Sequence, residues 1–331
     1  MQTTILVTVP TLAPAGLDLL RAEGCRVIMT STAGGVPEVL EHLARQPVHG
    51  VISRTLPFGA DAFAAAGNSL KVVSRHGVGF DNVDIDAATA RGIPVLIAPA
   101  ANGQSVAELT MSLMLAAARR ITHQDATIRA GGWDRAGSGL QLSGRMLGLV
   151  GFGGIGKAVA RAALGLGMRV IAFDSFAPPD PSLDVARVDS LDALLPQSHV
   201  LSLHVPLTAQ TRGLIGAAQL RALPPGALVI NTARGGLVDE PALAAALADG
   251  HLFGAGLDTF ETEPPCQDNP LRGRPEVVMT AHIGGSTGAA LDTVARTAAL
   301  HALAVIHGRP FDRHVCVNPG VLPALATENP A

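Results

Sequence analysis

Cysteine is scarce in this chain of 331 residues, which contains Cys25, Cys266 and Cys316 and no others. Their number is odd and they lie far apart, so the sequence offers neither a disulfide framework nor the C-x-x-C spacing of a metal site. The pattern predicts three buried thiols without a chemical role.

Charged residues are also few, at 15% of the chain, and the formal net charge is -3 at pH 7. Because no basic run is present, we expect no binding to nucleic acid. The longest apolar candidate span is Leu109–Ala118. It is shorter than the ~20 residues that a transmembrane helix needs, so it predicts a buried helix and no membrane partner. The N-terminal segment lacks the basic and apolar regions of a signal peptide, which favours a cytoplasmic location.

The chain length suggests two domains, and Val- and Ile-rich runs alternate with Ala- and Leu-rich stretches throughout. Continuous hydrophobicity in these runs indicates strands that are covered on both faces, as in parallel sheets. The sequence therefore predicts an α/β protein with two doubly wound parallel sheets. The predicted strands are Ile5–Val9, Arg26–Thr30, Gly50–Arg54, Val72–Arg75 and Val95–Ala98 in the first series, and Met146–Gly151, Val170–Asp174, Val200–Val205, Leu228–Thr232, Ala255–Asp258 and Val277–Thr280 in the second.

A long helix is predicted over Asn102–Ala130, because neither Gly nor Pro occurs in this segment after residue 103. Ser105 and Glu108 have the spacing of an N-terminal capping box, and we expect this helix to link the two domains. A second long helix is predicted over Ala289–Ile306. The Pro-containing tail that follows it is expected to be loosely ordered.

Three glycines follow the first strand of the second series. Gly151, Gly153 and Gly156 have the spacing G-x-G-x-x-G and precede an Ala-rich helix. This arrangement allows a tight turn and a close approach of a pyrophosphate to the helix N-terminus. Asp174 ends the next strand, where an acid is expected to bind ribose hydroxyls. Its charge repels a 2′-phosphate, so the sequence predicts NAD rather than NADP as the cofactor.

Three later segments place polar side chains at the ends of predicted strands, the edge at which parallel sheets bind ligands. These segments contain Arg234, Glu263 and His282. Hydride transfer between NAD and a 2-hydroxy acid needs a cation for the substrate carboxylate and carbonyl, a base for the hydroxyl proton, and a carboxylate that orients the base. Arg, His and Glu are suited to these three roles.

At these residues the sequence resembles the D-isomer-specific 2-hydroxyacid dehydrogenase family, and within it the phosphoglycerate dehydrogenases in a short form without a regulatory domain. The resemblance extends from about Gly50 to Ile306. It rests on motifs in the same order, which are Ser74–Asp84, Ser105–Glu108, Trp133–Arg135 and Pro206–Thr208. It implies a flavodoxin-like substrate-binding domain, residues 1–99 plus 289–331, and an inserted Rossmann NAD-binding domain, residues 100–288.

The resemblance also implies the residues of the site. Arg234 binds the substrate carboxylate and polarises the carbonyl, His282 acts as acid and base, and Glu263 pairs with His282. The residues expected at the cofactor are Val78, Gly151, Gly153, Gly154, Ile155, Gly156, Asp174, Pro206, Thr232, Ala233, Asp258 and Gly284. Those expected at the substrate are Arg54, Arg75, Gly77, Val78, Gly79 and Arg135, and no metal is expected.

These positions favour an NAD-dependent dehydrogenase of a small 2-hydroxy acid, or a reductase of its 2-keto acid. The three substrate arginines present donor forks to oxyanions, which favours a substrate with an anionic C3 group. His76 and Val78 differ from the residues usual in phosphoglycerate enzymes. Hydroxypyruvate or glyoxylate reduction and sulfolactate oxidation are therefore alternatives, as is an NAD-sensing, corepressor-like scaffold. We expect a homodimer with Asn102–Ala130 largely buried at its interface.

Overall fold

The computed structural model of the protein describes residues 2–99 and 101–323. These residues divide into two compact units. Unit 1 comprises the described residues of 1–102 and 288–331, and unit 2 comprises residues 103–287.

Strands and helices alternate along both units. The strands are β1 (Thr4–Val7), β2 (Arg26–Met29), β3 (Gly50–Ser53), β4 (Val72–Arg75), β5 (Val95–Leu96), β6 (Met146–Val150), β7 (Arg169–Phe173), β8 (Val185–Arg187), β9 (Val200–Leu203), β10 (Ala227–Asn231), β11 (Leu252–Leu257) and β12 (Val277–Met279). The helices are α1 (Pro14–Ala22), α2 (Gly35–Arg45), α3 (Ala60–Ala65), α4 (Ile85–Ala90), α5 (Gly103–Ala118), α6 (Ile121–Arg129), α7 (Gly154–Gly165), α8 (Leu191–Leu194), α9 (Ala217–Ala222), α10 (Glu240–Ala248) and α11 (Gly288–His307). Short 3-10 turns occur at Leu195–Gln197, Gly235–Leu237, Arg313–Val315 and Pro319–Val321.

Unit 1 contains a parallel sheet with the strand order β2-β1-β3-β4-β5, which is the flavodoxin-like order. Successive side chains of a strand point to opposite faces of the sheet. Ile5 and Val7 therefore pack on one face, in a core completed by α1 and α11. Leu6 packs on the other, in a core that includes Val39 of α2 and Phe63 of α3. Both faces are covered, as the continuous hydrophobicity predicts.

Unit 2 contains a seven-stranded parallel sheet with the order β12-β11-β10-β9-β6-β7-β8. The order reverses between β6 and β9, as in a Rossmann sheet, and ligands bind at such a switch point. Helices α5 and α7 belong to the core on one face, and α9 and α10 belong to the core on the other. The prediction of two doubly wound parallel sheets is confirmed, although the sequence analysis did not predict the short edge strand β8.

The prediction of one helix over Asn102–Ala130 is wrong, because the segment forms α5 and α6 with a break between them. Arg120 has a left-handed backbone conformation with φ 51°. The carbonyl of Ala118 accepts a hydrogen bond from Leu140 N at 2.7 Å, and the Arg120 guanidinium stacks on the Phe253 ring, 4.7 Å from its centroid. These contacts come from residues distant in sequence, so helical periodicity does not reveal the break.

The predicted capping box is also wrong, because Ser105 lies within the first turn of α5 and its hydroxyl donates to the carbonyl of Gly284 at 2.6 Å. The expectation of three buried thiols is wrong for Cys266, which is exposed, whereas Cys25 and Cys316 are buried.

The expectation of a loosely ordered tail is wrong up to residue 323. Asn318 Oδ1 accepts Val95 N at 2.9 Å, so the tail pairs with β5, and residues 324–331 lie outside the described residues.

Among the described residues, α11 is long and apolar enough by length and composition to cross a membrane. The expectation that Leu109–Ala118 is the longest apolar span is therefore wrong, because α11 is longer. Val294, Ala298 and Leu303 of α11 are buried, and α11 packs against α1 and β4 in unit 1. One side of α11 therefore contributes to the core of unit 1.

Candidate active site

The glycine-rich turn lies at the carboxyl end of β6, beside the switch point of the unit 2 sheet. A side chain at Gly151 would place its Cβ 2.5 Å from the carbonyl oxygen of His204, and one at Gly156 would place it 2.3 Å from the carbonyl oxygen of Gly151. Only glycine permits this packing. Gly153 and Gly154 are exposed and begin α7, where no described side chain caps the helix. This helix N-terminus fits the pyrophosphate of a dinucleotide.

Asp174 follows β7 beside this turn. Its Oδ2 accepts Phe152 N at 2.7 Å, and its Oδ1 accepts Phe176 N and Ala177 N at 2.8 Å. Burial opposes ionisation, but these backbone hydrogen bonds and the nearby Arg187 guanidinium lower the pKa of Asp174 below its ordinary value. The residue is therefore a fixed carboxylate, the chemistry expected for a partner of ribose hydroxyls.

Arg234 lies in a turn after β10 that Asn231 organises. The Asn231 amide donates to the carbonyl of Arg234 at 2.7 Å, and its oxygen accepts Ala233 N at 3.0 Å. The guanidinium of Arg234 donates to the carbonyl of Ala233 at 2.7 Å. The Thr232 hydroxyl contacts the hydroxyl of Thr110 on α5 at 2.8 Å. The turn is thus held on the sheet edge by its own side chains and by α5.

Asp258 follows β11 and organises the loop that carries His282. Its buried carboxylate accepts Thr280 Oγ1 at 2.6 Å, and Ile283 N and Gly284 N at 2.8 Å. Its backbone carbonyl accepts His282 N at 2.8 Å, and His282 has a left-handed φ of 53°. A conformation that is uncommon for residues other than glycine is therefore held by hydrogen bonds on both sides of His282.

Glu263 meets His282 directly. Glu263 Oε2 lies 2.8 Å from His282 Nδ1, and both side chains are partly exposed. The other oxygen of Glu263 accepts Phe260 N at 3.1 Å. Burial opposes ionisation of Glu263, but the hydrogen bond and charge of His282, the Phe260 amide and the charge of Arg234 lower its pKa below the ordinary value.

This pair defines which nitrogen is available for chemistry. A carboxylate is only an acceptor, so it holds the hydrogen of the imidazole on Nδ1. Nε2 is then the nitrogen at which the imidazole can exchange a proton. Strands β10, β11 and β12 are neighbours, which brings Arg234, Glu263 and His282 to the same edge of the sheet.

The other residues predicted at the cofactor from unit 2 lie in the same edge region. Pro206 follows β9, Ile155 lies in the first turn of α7, and Gly284 is buried beside Asp258. Val78 lies in unit 1 with Gly77 and Gly79, in the loop after β4, so its contact with a cofactor remains a prediction.

Arg75 has contacts that the sequence analysis did not anticipate. Only 6% of its surface is exposed. Its guanidinium donates to the carbonyls of Gly79 at 2.7 Å and Ser53 at 2.6 Å, and also to that of Arg54. Arg75 therefore joins the loops after β3 and β4, while Arg54 is partly exposed and Arg135 is exposed after α6.

Three residues of the site were not predicted as such, namely Asn231, Thr280 and Arg187. Asn231 and Thr280 stand beside the predicted residues in sequence, where a polar residue at the end of an apolar strand is a usable signal. Arg187 donates to the carbonyl of Asp174 at 2.5 Å, across thirteen residues of sequence. No local pattern indicates such a contact.

Comparisons with known proteins agree with the fold of two parallel α/β sheets. Residues 111–284 match the family described as D-isomer specific 2-hydroxyacid dehydrogenase, NAD binding domain. The chain is 44% identical over 260 residues to a D-3-phosphoglycerate dehydrogenase of Mycobacterium leprae, covering 78% of this chain and 49% of that protein. It thus spans about half the length of the phosphoglycerate dehydrogenases that it matches.

Two further relatives match over more of their own length. A hydroxypyruvate reductase of Thermotoga maritima is 46% identical over 228 residues, which cover 68% of this chain and 74% of that protein. The crystal structure of the TT0316 protein from Thermus thermophilus has a TM-score of 0.84 and 39% identity, covering 93% of this chain and 98% of that one.

Proposed function

Because the chain belongs to the D-isomer specific 2-hydroxyacid dehydrogenase family, we propose that it interconverts a small 2-keto acid and the corresponding D-2-hydroxy acid with NAD. The observation that carries this proposal is the contact of 2.8 Å between Glu263 Oε2 and His282 Nδ1, at the sheet edge where Arg234 is also found. A carboxylate, an imidazole and a guanidinium are the three groups that this reaction requires.

The cofactor site proposed here is formed by residues of unit 2. The N-terminus of α7 binds the pyrophosphate and Asp174 binds the ribose hydroxyls, while Asp258 and Gly284 lie at the nicotinamide amide. When bound, NADH supplies a hydride to carbon 2 of the keto acid. His282 Nε2 donates the proton to the carbonyl oxygen, and Glu263 stabilises the imidazolium that donates it.

Arg234 polarises the same carbonyl and binds the substrate carboxylate. In the oxidation direction, His282 takes the hydroxyl proton, so one residue serves both directions. Arg234 and His282 both act at the reacting atoms. Each stabilises the transition state, so replacing either residue changes kcat.

We further propose that unit 1 binds the remainder of the substrate, as a substrate-binding domain of residues 1–99 and 289–331. The backbone N–H groups of Gly77, Val78 and Gly79 take part in binding the carboxylate. Arg54 and Arg135 favour an anionic C3 substituent, so phosphohydroxypyruvate is a candidate substrate. Hydroxypyruvate, glyoxylate and sulfolactate are the alternatives.

We also propose that the protein is a homodimer and that it is located in the cytoplasm. Ten of the sixteen residues of α5 are buried in unit 2, so the interface that we propose is formed by α6 and the loop after it. Ile121 and Ile128 are more than half exposed and Trp133 is 77% exposed. An apolar surface of this kind is typical of protein interfaces.

The test is NADH oxidation with a panel of 2-keto acids that differ at C3. His282→Ala should lower the rate by about 10²–10⁴-fold and leave the Kd for NADH unchanged, whereas His314→Ala, at an exposed histidine, should change neither. If the protein binds NADH but turns over no member of the panel, the NAD-sensing scaffold replaces the enzyme as the better explanation.

A further inference from the structure

Glu240 is a buried carboxylate to which the proposed reaction assigns no role. It is the first residue of α10, and 7% of its surface is exposed. Burial of a carboxylate is costly unless hydrogen bonds compensate it. The position at a helix N-terminus, where the helix dipole favours negative charge, supplies part of this compensation.

The rest of the compensation for burying Glu240 comes from hydrogen bonds donated by the segment that carries Glu263. Glu240 Oε1 accepts Glu261 N at 2.7 Å, and Oε2 accepts the amide of Asn269 at 2.6 Å. The oxygen of Asn269 in turn accepts Leu271 N at 3.0 Å. Glu240 therefore holds this segment at two points, one on each side of Glu263, and both are strong hydrogen bonds to a charged acceptor.

The same segment lies against the turn that carries Arg234. A Cβ at Gly235 would lie 1.8 Å from the carbonyl carbon of Phe260 and 2.3 Å from Glu261 N. The backbone of the Glu263 segment therefore occupies the space of a side chain at Gly235, next to Arg234. Glu240 fixes the amide of Glu261 at this point of contact.

We propose that Glu240 is a positioning residue for the active site, which holds the segment 259–271 so that Glu263 reaches His282 and stays in register with the Arg234 turn. This inference rests on the proposed function. Glu240 touches neither substrate nor cofactor in it. Its effect is to set the geometry of the acid–base pair, and small displacements of such groups lower kcat strongly.

The test exchanges the carboxylate and the amide. Glu240→Gln places an amide donor opposite the amide donor of Asn269, and Asn269→Asp places two carboxylates together. In the double variant the amide at position 240 donates to the carboxylate at position 269, and the pairing is restored. Glu261→Gln is the matched control, because it alters an exposed side chain of the same segment but keeps the backbone donor.

Each single variant should lower kcat for keto acid reduction by about tenfold or more and move its pH optimum to lower pH, since Glu263 then supports the protonated imidazole less well. The KM for NADH should stay the same. The double variant should recover kcat to within about threefold of the parent and restore the pH optimum, which is the coupling expected of two residues in contact. Glu261→Gln should retain both the kcat and the pH optimum of the parent.

Hydrogen exchange of the segment 259–271 supplies a readout that does not need turnover. Exchange of the Glu261 amide should rise in Glu240→Gln and fall back in the double variant. If the parent reduces no keto acid while this exchange pattern holds, the proposed function fails and the positioning of the segment stands. If Glu240→Gln folds and keeps the parent kcat and pH optimum, or if the double variant folds without recovery, the proposal is overturned.

Discussion

Acid should destabilise this protein through His204, a residue at the carboxyl end of β9. Its Nε2 lies 2.9 Å from the hydroxyl of Ser202, which is fully buried. Burial lowers the pKa of His204 from 6.5 to about 4. The folded protein therefore keeps this imidazole neutral under conditions in which the unfolded chain protonates it.

The sign and the size of the effect follow from this difference. Between about pH 6.5 and pH 4 the unfolded state binds more protons at His204 than the folded state does, so the free energy of unfolding falls as the pH falls. The stability associated with the neutral form is fully present above about pH 6.5 and is lost progressively down to the pKa of the folded state. A difference from 6.5 to about 4 corresponds to roughly 3 kcal/mol in total, of which about 2 kcal/mol is lost by about pH 5.

Urea unfolding of the parent and of His204→Asn at about pH 7 and pH 5 measures this loss. Asn is neutral throughout, so the variant should lose about 2 kcal/mol less than the parent between these pH values. His314→Asn, at an exposed histidine, should lose as much as the parent. Burial and then the charge of Arg54 also lower the pKa of His76 to about 4, and this residue of unit 1 accounts for a second, separate loss. The reasoning is refuted if His204→Asn loses the same stability as the parent.

Three further predictions concern the proposed sites. Asp174→Ala should weaken NADH binding more than NADPH binding in a fluorescence titration, because it removes both a ribose partner and a charge that repels the 2′-phosphate; a parent protein that prefers NADPH would contradict this. Arg75→Ala should lower the melting temperature of unit 1, because it removes a buried guanidinium that donates to the carbonyls of Ser53, Arg54 and Gly79, whereas Arg54→Ala should leave it unchanged and raise KM for keto acids with an anionic C3 group. Light scattering at micromolar concentration should give a dimer, and Trp133→Glu should convert it to a monomer; a monomeric parent removes the interface from the proposal.

Apart from the edge strand β8, the sequence predicted the strands of both sheets, because runs such as Ala227–Ile230 are buried on both faces and their hydrophobicity is continuous. The chemistry at the strand ends was also recognisable, since polar residues follow β10, β11 and β12 directly in sequence. These features depend on neighbours along the chain. The short distance between Glu263 and His282 does not depend on such neighbours. The family resemblance alone implied that these two residues pair, and the structure gives the distance of 2.8 Å.

The features that the sequence missed are set by contacts between distant residues. The break at Arg120 depends on a hydrogen bond to Ala118 from Leu140, and the order of the tail depends on the pairing of Asn318 with β5. Cys266 is exposed in a loop whose residues Glu261 and Asn269 donate hydrogen bonds to Glu240, which is distant in sequence. Hydrophobicity and local spacing contain no information about such partners.

The composition of unit 1 from two separate stretches has a consequence for biosynthesis. The core that buries Ile5, Val7 and Ile52 also needs Ala298 and Leu303 of α11. The ribosome makes α11 only after all of unit 2, a delay of roughly ten seconds or more. During this interval one face of the first sheet has the cover of α1 but lacks that of α11. Unit 2 has all its strands in one stretch of chain, so we expect it to fold first, and we expect nascent chains released before α11 to aggregate through that face.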